Sequence, residues 1–281
     1  MNNAKITILM SVYNDELYLG EAIESILNQT FENFEFLIMN DGSTDSSGDI
    51  IRSYQESRIK FVDNQHNLGL AKSLNRGINL AKGKYLARQD SNDVSHPDRL
   101  QKQYDYMEDT ATDILGCRHK FIDIYGKELP WLKTSDHKNS EYFSVLLNGK
   151  SIFRHGAVMI RSETMRYVGG YNDSFYFAQD CELWLRFLDG KFSIEMLDFV
   201  GYYCRIPIIS SRAKKYGQKK YVDLLRQRYL QSIEISDSAL IKVKEKIDTL
   251  TSNERRNYWL VDRIRYRFVL YIVALKKYFF E

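Results

Sequence analysis

The sequence predicts an α/β protein whose first hundred residues form a parallel sheet, and three observations support this class. Short apolar segments alternate with amphipathic segments of helical length from residue 6 onwards. Polar turns containing Gly, Asn or Asp separate them. The apolar segment at 85–87 runs directly into a cluster of polar side chains. Strands joined by helices of this length are parallel, and their carboxyl ends form the edge where ligands bind.

The first four strands and their helices follow from apolar periodicity. Runs of consecutive apolar residues predict buried strands, while apolar residues at three- and four-residue spacing predict helices. We place strands at 6–12, 34–39, 59–62 and 85–87, and helices at 15–29, 50–54, 70–81 and 97–107. No G-x-G-x-x-G follows the first strand, so a dinucleotide dehydrogenase is disfavoured.

The stretch 85–100, YLARQDSNDVSHPDRL, leads from a strand into a polar site. Its apolar start meets Arg88, Asp90 and Asp93, and burying an unpaired carboxylate costs several kcal/mol. The chain must therefore leave the core here. Asp90, Asn92 and Asp93 offer carboxylate and amide oxygens, which are the ligands that hard divalent cations prefer. The stretch predicts an oxygen-rich site where a strand ends and a helix begins.

Beyond residue 108 the pattern is less regular. We predict strands at 113–117, 120–125, 157–160, 192–197 and 200–204, a helix at 141–147, and a further helix that starts at Gln179. The apolar stripe of that last helix consists of Leu183, Trp184, Phe187 and Leu188, which assigns Trp184 to the core.

Composition limits the class of protein. The 281 residues are 44% hydrophobic and 27% charged, as in ordinary globular proteins, and the net charge of +3 is too small to indicate nucleic-acid binding. The three scattered cysteines, Cys117, Cys181 and Cys204, predict neither a zinc site nor a disulfide framework. The first apolar run is too short for a signal peptide, so we expect a cytoplasmic protein.

The composition changes after residue 207, and we predict two domains, 1–207 and a helical region at 208–281. The end of that region, 253–281, is rich in arginine and aromatic residues, which is typical of a helix at a membrane surface. Its longest apolar run, 268–275, is far short of the ~20 residues that span a bilayer. A solvated charged helix is the default interpretation. The alternatives are peripheral contact with the inner face of the membrane and burial in a homo-oligomer.

Four motifs resemble those of the family 2 inverting glycosyltransferases with the GT-A fold. They are SVYN at 11–14, NDGSTD at 40–45, ARQDSND at 87–93 and QDCELWLRF at 179–187. Their order and spacing resemble those of the family, and the resemblance covers residues 5 to 205. It implies a Rossmann-like mixed sheet flanked by helices, a nucleotide-sugar donor, and transfer of the sugar to an acceptor hydroxyl with inversion.

The resemblance implies a donor site. Tyr13 would stack on the uracil of a UDP-sugar with Ser11 beside it, and Asp41 would hydrogen-bond the base. Asp90 would bind the ribose and diphosphate region. Each of these residues has a structural alternative, because an aromatic residue after a strand usually packs, and Asp-Gly-Ser is commonly a turn with a helix cap.

The resemblance also implies a site for Mn²⁺ or Mg²⁺. The D-x-D positions of the family are Asp90 and Asn92 here, and a neutral amide holds a divalent ion more weakly than the usual second carboxylate. Asp93 is adjacent and could supply the missing charge. A metal bridging the phosphates would act as a Lewis acid that offsets the charge of the departing diphosphate.

The catalytic base that the resemblance implies is Asp180. A carboxylate within hydrogen-bond reach of the acceptor hydroxyl can accelerate transfer by about 10²–10⁴-fold. The family's usual Glu before the base is Gln179 here, and at a helix start Asp180 could instead complement the helix dipole. His155 and Arg88 are further candidates for contact with the donor or acceptor, although a histidine of this kind is most often structural.

We therefore expect an enzyme that transfers a sugar from a UDP-sugar to a growing surface glycan carried on lipid or protein. A nucleotidyltransferase would need a basic loop after the first strand, and residues 11–18 contain no Lys or Arg. A catalytically weak nucleotide-sugar-binding subunit of a glycosyltransferase complex stays open as an alternative, because Asn92 and Gln179 both remove charge from the site.

Overall fold

A computed structural model of the chain describes residues 4–132, 137–148, 150–206, 212–231, 239–246 and 249. The chain forms two compact units, Met1–Ile208 and Ile209–Glu281. The first unit contains the whole sheet and every predicted site residue.

The first unit alternates strands with helices. Its strands are β1 (Ile6–Val12), β2 (Phe34–Asn40), β3 (Ile59–Asp63), β4 (Tyr85–Arg88), β5 (Val94–Ser95), β6 (Ile114–Ile122), β7 (Val158–Arg161) and β8 (Ile194–Arg205). Its helices are α1 (Leu19–Leu27), α2 (Ser47–Ser53), α3 (Leu70–Leu80), α4 (Arg99–Asp109), α5 (Tyr142–Leu147), α6 (Ser162–Tyr167) and α7 (Gln179–Asp189). Two 3₁₀ turns, Asn139–Glu141 and His155–Ala157, lead directly into α5 and β7.

The strands form one mixed sheet in the order β3-β2-β1-β4-β7-β6-β8-β5. β3, β2, β1 and β4 run parallel to one another. β7 runs antiparallel to both β4 and β6, β8 is parallel to β6, and β5 is antiparallel to β8. The predicted mixed sheet flanked by helices is therefore confirmed.

The core lies around the central strands. β2 is buried along its whole length and β1 at all but one residue, which explains why both read as continuous apolar runs rather than alternating ones. The main apolar cluster combines side chains of these strands with residues of α1 and α4, such as Ile23, Leu100 and Met107. The predicted bounds of the first four strands agree with the structure to within one residue.

Two predictions in the later part of the chain were wrong in detail. The predicted strands at 113–117 and 120–125 are the single strand β6, and those at 192–197 and 200–204 are the single strand β8. The pairing of β6 with β8 shifts register on both sides of Arg118. This irregularity places polar residues inside a strand, which made one strand look like two. The short strand β5 and the helix α6 were not predicted.

The second unit contains α8 (Arg212–Gln231), and residues 239–246 are also helical. The predicted helix at 253–281 lies outside the described residues. Among the helices that the structure describes, none has the length and apolarity needed to cross a bilayer.

Candidate active site

One edge of the sheet collects the segments that carry the predicted site. β1 has β2 on one side and β4 on the other, so the carboxyl ends of three parallel strands lie side by side. β7 runs antiparallel to β4, pairing Ala87 with Met159, and therefore the turn before β7 lies at this edge as well. Ligands of open α/β sheets bind where the chain connections diverge from a central strand in this way.

Tyr13 follows β1 directly and is exposed, with 44% of its surface accessible. Ser11 is a half-buried residue near the end of the same strand. The next residue, Asn14, has a positive φ of 54° and exchanges hydrogen bonds with the loop after β2. Its N–H donates to Ser43 Oγ at 3.1 Å, and its Oδ1 accepts from the Thr44 N–H at 2.8 Å. The loop that presents Tyr13 is thus held in place while the ring remains available.

Asp41 is buried and its carboxylate is engaged with the segment before α3. It accepts hydrogen bonds from the N–H groups of Leu68 and Gly69, both at 3.0 Å, and from Asn64 Nδ2 at 2.8 Å. The following Gly42 has a φ of 71°, and a Cβ there would lie 2.5 Å from the His66 carbonyl carbon. Asp41 therefore fixes two neighbouring loops, and its contact with a nucleotide base stays a prediction.

Arg88 and Asp90 form an ion pair at the end of β4. Arg88 is 3% exposed and also donates to the Leu9 carbonyl at 2.9 Å, whereas the Asp90 side chain is 33% exposed. The Asp90 N–H donates to Tyr202 Oη at 3.1 Å. A Cβ on Gly156 would lie 1.9 Å from that same oxygen and 3.1 Å from Asp90 Oδ2, so only glycine fits here. Asp90 is thus oriented by three different segments.

Arg99 joins two of these segments from inside the core. It is fully buried, and its Nη1 donates to the carbonyls of Arg88 at 2.9 Å and Gly156 at 2.6 Å. Its guanidinium also lies 5.5 Å from the centre of the Tyr202 ring. No role was predicted for Arg99, because an arginine in the first turn of a helix is usually solvated.

Asn92 and Asp93 differ in accessibility. Asn92 is half-buried, while Asp93 is 3% exposed and its carboxylate accepts the Arg205 N–H at 2.7 Å. Burial, and then the negative charge of Asp90, raises the pKa of Asp93 to about 7. Asp15 accepts a hydrogen bond from Ser91. Burial is the main cause that raises the pKa of Asp15, and the negative charge of Asp90 also raises it.

The residues fit a divalent ion only in combination with phosphate oxygens. In the described ranges, no three His, Cys, Asp or Glu side chains are grouped to hold a metal by themselves. Asp90 and Asn92 nevertheless offer a carboxylate and an amide oxygen at the accessible part of the site. Mg²⁺ and similar ions commonly bind to one or two protein carboxylates together with substrate phosphates. The Asp93 carboxylate already accepts a backbone hydrogen bond from Arg205 of β8, and its assignment as a metal ligand stays a prediction.

His155 is the first residue of the 3₁₀ turn before β7. Its Nε2 is 2.6 Å from Tyr171 Oη. Burial, and then the positive charge of Arg88, lowers the pKa of His155 to about 4, while the charges of Asp90 and Asp180 act in the opposite direction. The imidazole is therefore neutral at pH 7, and both acids lie within electrostatic reach of it.

Asp180 is the second residue of α7 and is half-buried. The helix begins after Ala178, whose φ of 58° turns the chain sharply into its first turn. The charge of Asp180 acts on both His155 and Tyr171. The assignment of Asp180 as the catalytic base stays a prediction. Tyr171 was not among the predicted site residues, because a tyrosine after Gly-Gly has no distinguishing pattern in the sequence.

Comparison with known proteins assigns this arrangement to a family. The model described as Glycosyl transferase family 2 matches residues 7–168. The uncharacterized glycosyltransferase MJ1057 of Methanocaldococcus jannaschii is 32% identical over 232 residues, which are 80% of this chain and 79% of that protein. The O-antigen biosynthesis glycosyltransferase WbnJ of Escherichia coli is 31% identical over 191 residues, 66% of this chain and 72% of that protein.

Solved structures share the fold. Residues 1–349 of TarS from S. aureus in complex with UDP align with a TM-score of 0.58 and 17% identity, covering 93% of this chain and 78% of that chain. The mannosyltransferase PcManGT from Pyrobaculum calidifontis, in complex with GDP-Man and Mn²⁺, aligns with a TM-score of 0.61 and 14% identity, covering 86% and 69%. At these identities the likeness concerns the fold alone, and the predicted GT-A fold is confirmed.

Proposed function

Because the chain belongs to glycosyl transferase family 2, we propose that it transfers a sugar from a UDP-sugar to an acceptor hydroxyl with inversion at the anomeric carbon. The observation that supports this proposal is the position of His155 beside both acidic segments: a Cβ on Gly156 would lie 3.1 Å from Asp90 Oδ2, and the His155 ring centre is 6.4 Å from that of Trp184, one turn after Asp180. A displacement of this kind needs a held leaving group and a separate base, and the two acids are assigned to those tasks.

The donor is proposed to bind across the ends of β1, β2 and β4. Tyr13 is accessible for stacking on uracil, with Ser11 beside it, and Asp90 is assigned to the ribose and diphosphate region. Asp41, which follows β2, is assigned to a hydrogen bond with the base. The two fold relatives were solved in complex with UDP and with GDP-Man, which is compatible with a nucleotide-sugar donor.

A divalent ion, Mn²⁺ or Mg²⁺, would be held by Asp90 and Asn92 together with donor phosphates and would offset the charge of the departing diphosphate. The ion pair of Arg88 with Asp90 fixes that carboxylate in place. We assign Arg88 and His155 to contacts around the diphosphate and the sugar.

Asp180 is proposed to accept the proton of the acceptor hydroxyl. Asp180 lies in the first turn of α7, where an acidic side chain interacts favourably with the helix dipole. No covalent intermediate with the enzyme is needed, because a base opposite the leaving group permits direct displacement. The proposed acceptor is a growing surface glycan on lipid or protein, the class of reaction in which the name of WbnJ places that relative.

The test is Asp180→Asn, assayed by release of UDP from a panel of UDP-sugars. We expect transfer to fall by about 10²–10⁴-fold, with the dissociation constant of UDP unchanged within about twofold. Asp189→Asn is the matched control, since it removes an exposed carboxylate from the other end of the same helix and should leave transfer intact. Equal turnover of Asp180→Asn and wild type would reject the base assignment.

The second candidate function is a nucleotide-sugar-binding subunit with little activity of its own. It is favoured by the neutral residues Asn92 and Gln179 at positions where acids are usual in the family. Tight UDP binding by the wild-type protein without release of UDP from any donor would support this alternative and reject the enzyme.

A further inference from the structure

The segment that carries Tyr171 is fixed by side chains from two helices. Asn75 of α3 accepts the Tyr171 N–H with its Oδ1 at 2.9 Å and donates from its Nδ2 to the Tyr171 carbonyl at 2.8 Å. The preceding Gly170 has a φ of 72°, and a Cβ there would lie 2.6 Å from Asn75 Oδ1. Both backbone polar groups of Tyr171 are therefore paired with one amide, which sets the direction of its side chain.

The same segment is also attached to the helix of the proposed base. Arg186 of α7 donates to the carbonyls of Val168 at 2.6 Å and Gly170 at 2.7 Å. Glu182, one turn earlier and 1% exposed, forms an ion pair with Arg186 at 2.8 Å. Any displacement of α7 that moved Asp180 would therefore also move Tyr171.

The hydrogen bond between Tyr171 and His155 determines which ring nitrogen of His155 carries the proton. Tyr171 is 4% exposed, and its Oη lies 2.6 Å from His155 Nε2. A buried O–H that donates to nothing is costly, and Nε2 is the acceptor within reach. Tyr171 thus donates to Nε2, and the neutral imidazole of His155 carries its proton on Nδ1.

The Nδ1–H group of His155 is available to a ligand. It makes no hydrogen bond to any residue that the structure describes. The charges of Asp90 and Asp180 both act on His155 and on Tyr171. In a direct displacement the sugar ring lies between the diphosphate and the base. His155 lies beside the segments of both acids: a Cβ on the following Gly156 would be 3.1 Å from Asp90 Oδ2, and the His155 ring centre is 6.4 Å from that of Trp184, one turn after Asp180 on α7.

We propose that Tyr171 is a positioning residue that fixes the tautomer of His155, so that Nδ1–H donates to a hydroxyl of the transferred sugar and selects donors carrying that hydroxyl. This inference rests on the proposed function and deepens it. Selection would act through a buried polar contact. A donor whose sugar lacks the hydroxyl is rejected, because the imidazole N–H is then left unpaired.

The experiment compares wild type with Tyr171→Phe, His155→Asn and the double variant. Donors are UDP-Glc, UDP-Gal, UDP-GlcNAc, UDP-GalNAc and GDP-Man, and the best of them is compared with its deoxy analogues. Tyr171→Phe removes the hydroxyl and retains the ring. We expect its kcat/KM with the best donor to fall about 10- to 100-fold, while the dissociation constant of UDP changes less than about twofold, since UDP has no transferred sugar.

Two readouts separate positioning from general damage. The ring ¹⁵N shifts of His155 should report the Nδ1–H tautomer in wild type and a mixture of tautomers in Tyr171→Phe. The double variant should be no slower than His155→Asn alone, because residues that act through one contact are not additive. Tyr167→Phe is the control, since that ring is 83% exposed and packs on Phe192.

The outcomes distinguish this inference from the proposed function. If wild type binds and transfers none of the donors, the proposed function fails and the sugar contact fails with it. If wild type transfers a sugar, but Tyr171→Phe keeps both the tautomer and the discrimination against deoxy donors, only the inference is overturned. Should Tyr171→Phe not fold, His155→Asn decides: unchanged discrimination in that variant would overturn the proposal, and its loss would support it.

Discussion

The two halves of the first unit build their part of the site by different means. In the donor half, residues 5–109, the assigned side chains follow strand ends directly: Tyr13 after β1, Asp41 after β2 and Asp90 after β4. In the transfer half, residues 110–206, His155 lies in a turn before a strand and Asp180 in the first turn of a helix. The backbone of a parallel sheet positions the first set, whereas the second set depends on its surroundings.

Buried side-chain hydrogen bonds supply that positioning in the transfer half. Asn75 and Arg186 hold the segment of Tyr171, and Arg99 holds the turn of His155 through the Gly156 carbonyl. These bonds connect residues far apart in the chain. We therefore expect loss of a buried ion pair to destabilise the transfer half strongly. Substitution of the exposed Tyr13 at the end of β1 should weaken binding with little effect on folding.

The largest expected effect comes from Glu182→Ala in the transfer half. Glu182 is 1% exposed and pairs with Arg186, which would be left without its carboxylate partner. Removing one partner of a buried pair costs about 3–5 kcal/mol of unfolding free energy. Urea denaturation measures this loss, and the remaining folded protein should transfer sugar poorly because the segment of Tyr171 has lost its attachment to α7.

The control for that measurement is Glu163→Ala. Glu163 is an exposed acid in the first turn of α6, so its removal should change the unfolding free energy by less than about 0.5 kcal/mol. If the two variants were equally stable, the transfer half would not depend on its buried ion pair, and the contrast between the halves would disappear.

A smaller effect, confined to binding, is expected for Tyr13→Ala in the donor half. The ring is 44% exposed and contributes little to the core, so the melting temperature should stay the same. Loss of stacking on a base should weaken UDP binding by about 1 kcal/mol, or roughly fivefold, as measured by calorimetry. Tyr167→Ala, which removes an even more exposed ring, should leave UDP binding unchanged. A lower melting temperature of Tyr13→Ala with unchanged UDP affinity would assign Tyr13 to packing instead.

The same contrast explains how much the sequence could predict. In the donor half, apolar runs and polar turns placed four strands within one residue, because each strand is buried and each connection is short. The carboxylates at the strand ends were then found by the cost of burying them. Local pattern was sufficient wherever the site follows directly from the order of the sheet.

In the transfer half, local pattern was not sufficient. Arg118 and His119 seemed to interrupt β6, but in the folded chain Arg118 pairs with Asp198, and His119 accepts a hydrogen bond from Arg154 at 3.1 Å. Tyr171 depends on an asparagine 96 residues earlier. Such partners are far apart in sequence, so the local periodicity of apolar residues does not reveal them. The motif around Asp180 was identified only through its resemblance to a family.

The smallest expected effect concerns pH and comes from His119 in the transfer half. Burial, followed by the positive charge of Arg154, lowers the pKa of His119 to about 4 from its ordinary value of 6.5. Between these two values the unfolded chain binds a proton that the folded chain does not. Stability therefore rises with pH across this interval and is lost as pH falls from about 6.5 to about 4.

His119→Gln should reduce that dependence. Glutamine retains an acceptor for Arg154 but binds no proton, so the melting temperature of the variant should fall less than that of wild type between pH 6.5 and pH 4. His155, whose pKa is also lowered by burial, is present in both proteins and cancels in the difference. If the melting temperatures of the two proteins fell equally between pH 6.5 and pH 4, His119 would be protonated in the folded chain, with Arg154 displaced from it.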